Sequence, residues 1–226
     1  LSKIPELVKT AKKLGMPALA LTDHGSMYAA IEFFKECKKA EIKPIVGVEA
    51  YVAIRTRFDK DPGMDTKRFH LTLLAADNDG YKNLMTMVTK ANIEGYYYKP
   101  RMDKDLFREY GKGVICLTGC PASELVHYLK TDNLDKAREL LHFYIEVFGR
   151  DHVFVEVMKH DEVEWYVPIQ KKLQAITEEF NLPLVGTWDS HYLHKDDNDA
   201  QDTLVAINTG TEVGSGKMSM KAGNYS

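Results

Sequence analysis

The sequence predicts an α/β fold of parallel strands covered by helices, and three features carry that expectation. Six short apolar runs recur along the 226 residues, and nearly every one is followed by an amphipathic stretch of helical period. The runs are continuous rather than alternating, as in strands buried on both faces. No phosphate-cradling loop interrupts a strand–helix junction: "DHGS", "GVE" and "TGC" contain neither G-x-G-x-x-G nor a P-loop. Two architectures remain, a doubly wound sheet and a closed βα barrel.

The elements follow in order. Ile4, Leu7, Val8, Ala11 and Leu14 recur at helical spacing over 2–14, with Ser2 as the expected N-cap and Gly15 as the stop. A strand over 18–22 leads into a helix over 27–40. "PIVGVEAYV" marks a strand over 44–52, and after a charged loop, 55–68, "HLTLLAA" marks another over 70–76. A helix over 79–93 and a tyrosine-rich loop, "EGYYYKPRMDKD", come next. "GVICLT" gives a strand over 113–118, followed by helices over 121–130 and 133–148. "HVFVEVM" (152–158) and "PLVGTW" (183–188) are the last strands, separated by a helix over 162–180 and followed by one over 198–208. Residues 1–209 read as one domain, and the small, polar stretch 210–226 as a tail leading towards further regions.

Composition narrows the function classes. With 44% hydrophobic and 28% charged residues the chain has the profile of a soluble globular domain able to bury a real core. No run of 18 apolar residues exists and "LSKIPELVKT" is not a signal peptide, so no membrane association is expected. The net charge of −3 gives no global attraction for nucleic acid, so any contact with DNA must be local. Three cysteines argue against a disulfide framework and fit a reducing cytoplasm.

Polar residues gather where the strands end. "ALALTDHG" runs five small or apolar residues straight into Thr22, Asp23, His24 and Gly25. A helix N-cap explains one polar residue there, not the imidazole. Glu49 stands inside "GVEAYV", His70 opens "HLTLLAA", and Cys120 closes "VICLTGC". Glu156 lies in "FVEVM", His160 follows it, and Asp189 and His191 close "PLVGTWDSH". Each alone has a structural explanation: a salt-bridged acid, a satisfied core histidine, a cap. Together they are costly, because unpaired buried acids and imidazoles cost several kcal/mol apiece. A divalent metal removes that cost, and these are the side chains that bind zinc or manganese. Asp189-x-His191 would place both groups on one face of a strand. Asp23 is expected to orient its neighbour as a supporting partner. Cys37 and Cys116 read as core residues, and His127, His142, His152 and His194 as surface or packing residues.

"LGMPALALTDHGSMYAAIEFFKECKKAEIKPIVGVEAYVA", "HLTLLAADNDGYKNLM", "YYYKPRMDKDLF", "ICLTGCPASE" and "WDSHYLHKDDNDAQDTLVAINTG" resemble the polymerase-and-histidinol-phosphatase (PHP) domain of the bacterial replicative DNA polymerase III alpha subunit. The resemblance covers essentially the whole chain. It implies a distorted (β/α)7 TIM-like barrel carrying up to three divalent ions, zinc or manganese. Its ligands map onto His24, Glu49, His70, Cys120, Asp189 and His191. His70 fits least simply, because it opens its run. The resemblance further implies metal-dependent 3′–5′ exonuclease action on DNA in members that keep the ligands. Its partners are the 3′ end of DNA, the rest of the alpha chain and other replisome subunits. The family's first motif, a His-x-His followed by an acid, is not found here. Leu1 starts where it should just have ended, so the first strand is expected to be missing and the chain alone to be weakly active. Gln201 stands where the family usually shows a histidine.

Beyond the ligands, Lys99 and Arg101 beside Tyr96 to Tyr98 are expected to hold a phosphate backbone, or else the loop simply packs on the barrel. His160 is expected either to contact substrate or to end a helix. Three functions are consistent with these residues: a proofreading exonuclease domain of a replicative polymerase, a structural PHP module without turnover, and a stand-alone phosphatase of small phosphate monoesters. "KPRMDKDLF" and "DAQDTLVAINTG" favour membership of a polymerase.

Overall fold

The computed structural model describes residues 2–158 and 165–213. It holds eight strands: β1 (Ala18–Leu21), β2 (Lys43–Ala53), β3 (Arg68–Ala75), β4 (Tyr96–Tyr97), β5 (Lys99–Met102), β6 (Val114–Leu117), β7 (Val153–Met158) and β8 (Leu184–Thr187). They form one curled, half-barrel sheet in the order β4–β5–β2–β3–β6–β7–β8, with β1 also on β2. The helices are α1 (Ile4–Lys13), α2 (Ala30–Lys39), α3 (Asn78–Ile93), α4 (Lys104–Tyr110), α5 (Glu124–Lys130), α6 (Leu134–Phe148), α7 (Val167–Phe180) and α8 (Asn198–Thr209). The architecture is a distorted βα barrel rather than a doubly wound sheet.

The sheet is not wholly parallel. β1–β2, β2–β5, β6–β7 and β7–β8 pair in parallel, but β3 runs antiparallel to both β2 and β6. The reason lies in the connection. No α-helix separates β2 from β3, so the chain cannot cross back over the sheet and must return from the end at which β2 finishes. That reversal puts the first residues of β3 beside the last residues of the parallel strands.

The tyrosine-rich segment is also more ordered than a loop. Tyr96–Tyr97 and Lys99–Met102 pair as a tight hairpin around Tyr98, whose φ of 60° is left-handed, and β5 then joins the sheet through Tyr51 and Val52. Asp103 ends this segment by accepting from the Leu106 N–H at 3.0 Å, which caps α4. At α1 the N-cap is Lys3 without a side-chain bond, not Ser2, and Pro5 sits in the first turn. Gly15, at φ 73°, stops that helix as expected.

The main core lies between the sheet and α3 to α7. Val48, Leu71, Leu73, Leu84, Phe107, Leu125 and Val155 are all fully buried in it. Each such side chain contributes roughly 1.5–3 kcal/mol relative to exposure. A smaller cluster of Val8, Ala11, Phe33, Cys37 and Ile42 holds α1 and α2 against β1. Cys37 and Cys116 are fully buried core residues. At Gly80 a Cβ would lie 1.7 Å from the Gly113 carbonyl oxygen, so only glycine lets the start of α3 approach β6. Among the described residues β1 pairs only with β2, and β8 only with β7. The loops that follow these two strands nevertheless meet at one rim: the rings of His24 and His191 lie 5.7 Å apart.

Candidate metal centre

The centre is built around Glu49. Chain 22–25 continues the β1 pairing past the strand, with the Glu49 N–H donating to the Asp23 carbonyl at 3.1 Å and the Gly25 N–H donating to the Glu49 carbonyl at 2.9 Å. This pairing sets His24 beside Glu49, with Nε2 3.4 Å from Oε2. Gly25 follows at φ 64°, where a Cβ would press on Pro100 and Tyr51, so the turn out of the strand requires glycine. From the other side His70 brings Nδ1 to 2.7 Å from Glu49 Oε1. Cys120 Sγ lies 3.6 Å from Glu49 Oε1 and 3.5 Å from His70 Nδ1. Ligand atoms of His24, Glu49 and His70 all fall within 4.8 Å of one another. The antiparallel β3 explains His70: opening a reversed strand, it reaches the same rim that the other residues reach by closing theirs.

A cleft of 670 Å³ opens from this cluster and is lined also by Asp189, His191, Glu156 and Asp23. Asp189 and His191 lie beyond β8 rather than on a strand, so they share no strand face. Asp189 takes a left-handed φ of 56°, and its carbonyl lies 2.7 Å from His191 Nδ1. A non-glycine residue held there costs free energy that the surrounding fold must offset. Glu156 is 3% exposed and accepts from the Thr187 hydroxyl at 2.6 Å and the Gly119 N–H at 3.0 Å. Its carboxylate belongs to the cleft as much as Glu49 does; the sequence signal for it was an acid inside an apolar strand.

Burial and mutual charge set the protonation states. Burial pushes His24 below its ordinary range, opposed by Glu49, so the neutral imidazole is favoured. For Glu49 burial acts upward, but the hydrogen bond from His70 and the charges of His24 and His191 outweigh it and hold the carboxyl below its usual range. Burial raises Glu156, and Glu49 and Asp189 nearby add to the rise. Burial, then Glu49, hold the Cys120 thiol well above its usual range. A low-lying carboxylate between imidazoles, one of them favoured neutral, is a donor set suited to a divalent cation.

Other expected site residues stand elsewhere. Arg101 is not available to a phosphate backbone. It is fully buried, and its guanidinium donates to the carbonyls of Gly95, Asp65, Arg57 and Asp59 at 2.8–3.1 Å. Lys99 is exposed, with Nζ 5.8 Å from the centre of the Tyr51 ring. Tyr51, which the sequence did not single out, packs its ring 5.9 Å from His24 and 5.3 Å from His70. Asp23 lines the cleft itself; burial raises its carboxyl, opposed by the Ala29 N–H and by the charge of His24. His160 lies outside the described residues, as does the tail beyond 213.

A curled α/β half-barrel with imidazoles, carboxylates and a thiol gathered at one rim defines a protein of the barrel class whose sites are assembled at strand ends. Residues 1–160 match the family model of the PHP domain, and the chain belongs to that family. It is 40% identical over 220 residues to the DNA polymerase III subunit alpha of Thermus aquaticus, covering 94% of this chain and 18% of that protein. The alpha subunit of Treponema pallidum is 43% identical over 211 residues, covering 92% and 18%. That of Deinococcus radiodurans is 42% identical over 220 residues, covering 92% and 16%. The chain thus spans less than a fifth of the length of these curated relatives. A crystal structure from Bifidobacterium adolescentis, described as that of a putative metal-dependent phosphoesterase, superposes with a TM-score of 0.50. It covers 83% of this chain and 82% of its own at 13% identity, a likeness of fold. No described helix is long and apolar enough to cross a membrane.

Proposed function

We propose that this PHP domain is the N-terminal part of a bacterial replicative DNA polymerase alpha chain and hydrolyses DNA phosphodiesters from the 3′ end at a divalent metal centre. The observation that carries the reading is the convergence of His24, Glu49, His70 and Cys120, from four separate segments, on one point at the rim. Partial burial of these groups is unfavourable without a cation and is relieved by one.

His24, Glu49 and His70 would hold the ion, with Cys120 beside them and Asp189 and His191 across the cleft. A bound zinc or manganese ion supplies positive charge that neutralises the phosphate and acidifies water. Glu49 keeps its charge through its hydrogen-bonded imidazole, so it holds cation rather than proton. Glu156, raised by burial and lining the same cleft, is the carboxylate most ready to take up a proton there. Lys99, exposed beside Tyr51, would meet a phosphate in this reading. The rest of the alpha chain and the 3′ end of DNA are the partners of this reading, in the bacterial cytoplasm.

The test is metal-dependent release of nucleotides from 3′-labelled single-stranded DNA, by this domain alone and within a full alpha chain carrying it. Release should require manganese or zinc, stop with EDTA, and fall at least about a hundredfold in Glu49→Gln. Release that survives Glu49→Gln overturns this assignment. If metal binds but neither form releases nucleotide, the domain is a structural module.

A further inference from the structure

A second concavity reaches the same centre from outside the cleft. A groove of 840 Å³ runs between the segment joining β2 to β3, the start of α5, and Trp165. His70 lines it, and His70 is the residue bonded to Glu49. The groove therefore ends against the candidate metal centre.

We propose that this groove is a track for single-stranded nucleic acid, leading the backbone past His70 to the centre; the proposal deepens the phosphodiesterase reading and rests on it for the direction of the strand. Charge is the first observation. Arg55, Lys67, Arg68 and Lys130 line the groove against one carboxylate, Glu124. That carboxylate is already bound by Lys104 Nζ and the Tyr128 hydroxyl, both at 2.9 Å. Arg55 pairs with buried Asp65, but Lys67, Arg68 and Lys130 have no carboxylate partner among the described residues. The chain as a whole carries −3, so this positive strip runs against the average. Arg68 is held over the Tyr51 ring at 5.3 Å, and its buried Nε has no hydrogen-bond partner among the described residues. Its Nη1 donates to the Thr66 carbonyl at 3.0 Å, and among the described residues no carboxylate pairs with the guanidinium, so an anion beside it would complete its partners.

Aromatic faces are the second observation. Trp165 is 41% exposed, with Lys130 Nζ 3.8 Å from its ring centre. His127 is exposed on the same wall, its ring 5.3 Å from Phe69. Cations beside exposed rings suit a polymer that carries both charges and flat bases. An acidic peptide would use the cations and leave the rings idle. A small phosphate monoester would not span the groove.

Fluorescence anisotropy of a labelled oligothymidylate with the 226-residue chain tests this, in EDTA so that no strand is cut. Lys67→Ala and Lys130→Ala should each weaken binding several-fold and lower the salt slope by about 0.7, the value for one phosphate contact on a single strand. Trp165→Ala should weaken binding about tenfold with the slope little changed, and Trp165→Phe should restore most of it. Lys9→Ala, on α1, should bind as the parent does. Thermal melts confirm that each variant is folded. No binding at about 50 mM salt, or groove variants that bind like the parent, would overturn the track. Displacement by polyglutamate as effective as by unlabelled oligothymidylate would overturn its assignment to nucleic acid. Binding in EDTA that depends on the groove, without nucleotide release in manganese, would keep the track and defeat the catalytic reading instead.

Discussion

Glu49 is a buried acid mid-strand, and its ionisation state links site chemistry to stability. His24, beside it, is held below its ordinary pKa of 6.5 chiefly by burial, and Glu49 below its ordinary 4.5 because its imidazole partners outweigh burial. Both folded-state values are depressed, so both contributions are complete above the unfolded values and are lost on acidification. In the metal-free chain the loss should begin below pH 6.5, where unfolded His24 takes up a proton that the folded residue resists, and continue below 4.5 as Glu49 protonates. Urea-unfolding midpoints in EDTA should fall with pH through this window. In His24→Gln the upper part of the decline should flatten while the lower part persists. An unchanged upper limb would mean that His24 titrates as in the unfolded chain.

Among the elements, the hairpin β4–β5 and the segment before β3 depend on one side chain. Arg101 ties the carbonyls of Gly95, Asp65, Arg57 and Asp59 together in the interior. Arg101→Met leaves those carbonyls without their donor, a loss of about 3–5 kcal/mol by analogy with breaking a buried charged network. Lys99→Ala, two residues away and exposed, should stay within about 0.5 kcal/mol. Chemical denaturation of both variants checks the contrast, and similar losses would contradict it. Lysine and arginine two apart in "KPR" look alike in sequence, and only the fold of 55–65 over β5 separates them. Apolar runs located most strands, and the polar residues at their ends, with an acid inside a run, pointed to His24, Glu49, Cys120, Asp189 and His191, which all line one cleft. The direction of β3 was not legible, because an apolar run has no polarity, and so His70 looked misplaced until its strand was seen reversed. The groove was hidden for another reason: Arg55, Lys67 and Arg68 read as an ordinary charged loop, and they meet Lys130 only where α5 packs beside the β2–β3 segment.

At the scale of the molecule, the candidate centre lies between the loops that follow β1 and β8 on the curled sheet. His24 follows β1 and His191 follows β8, and each of these strands has one partner among the described residues. An ion held by both sides would close the rim without any strand pairing, adding its binding free energy to folding. At a hundred times its dissociation constant that is about 2.7 kcal/mol, and for a chain of this size each kcal/mol moves the melting temperature by about 2–4 °C. Manganese or zinc added to chelator-treated protein should therefore raise the melting temperature by roughly 5–10 °C. Glu49→Gln should remove most of that rise, since Glu49 touches every inner ligand. His191→Ala separates two geometries. If the ion bridges the sheet ends, His191→Ala should cut the rise and leave the amides of β8 exchanging as fast with metal as without it. If the rise and the protection of β8 both survive His191→Ala, the ion is held by His24, Glu49 and His70 alone, and the far side of the cleft is left to meet the substrate.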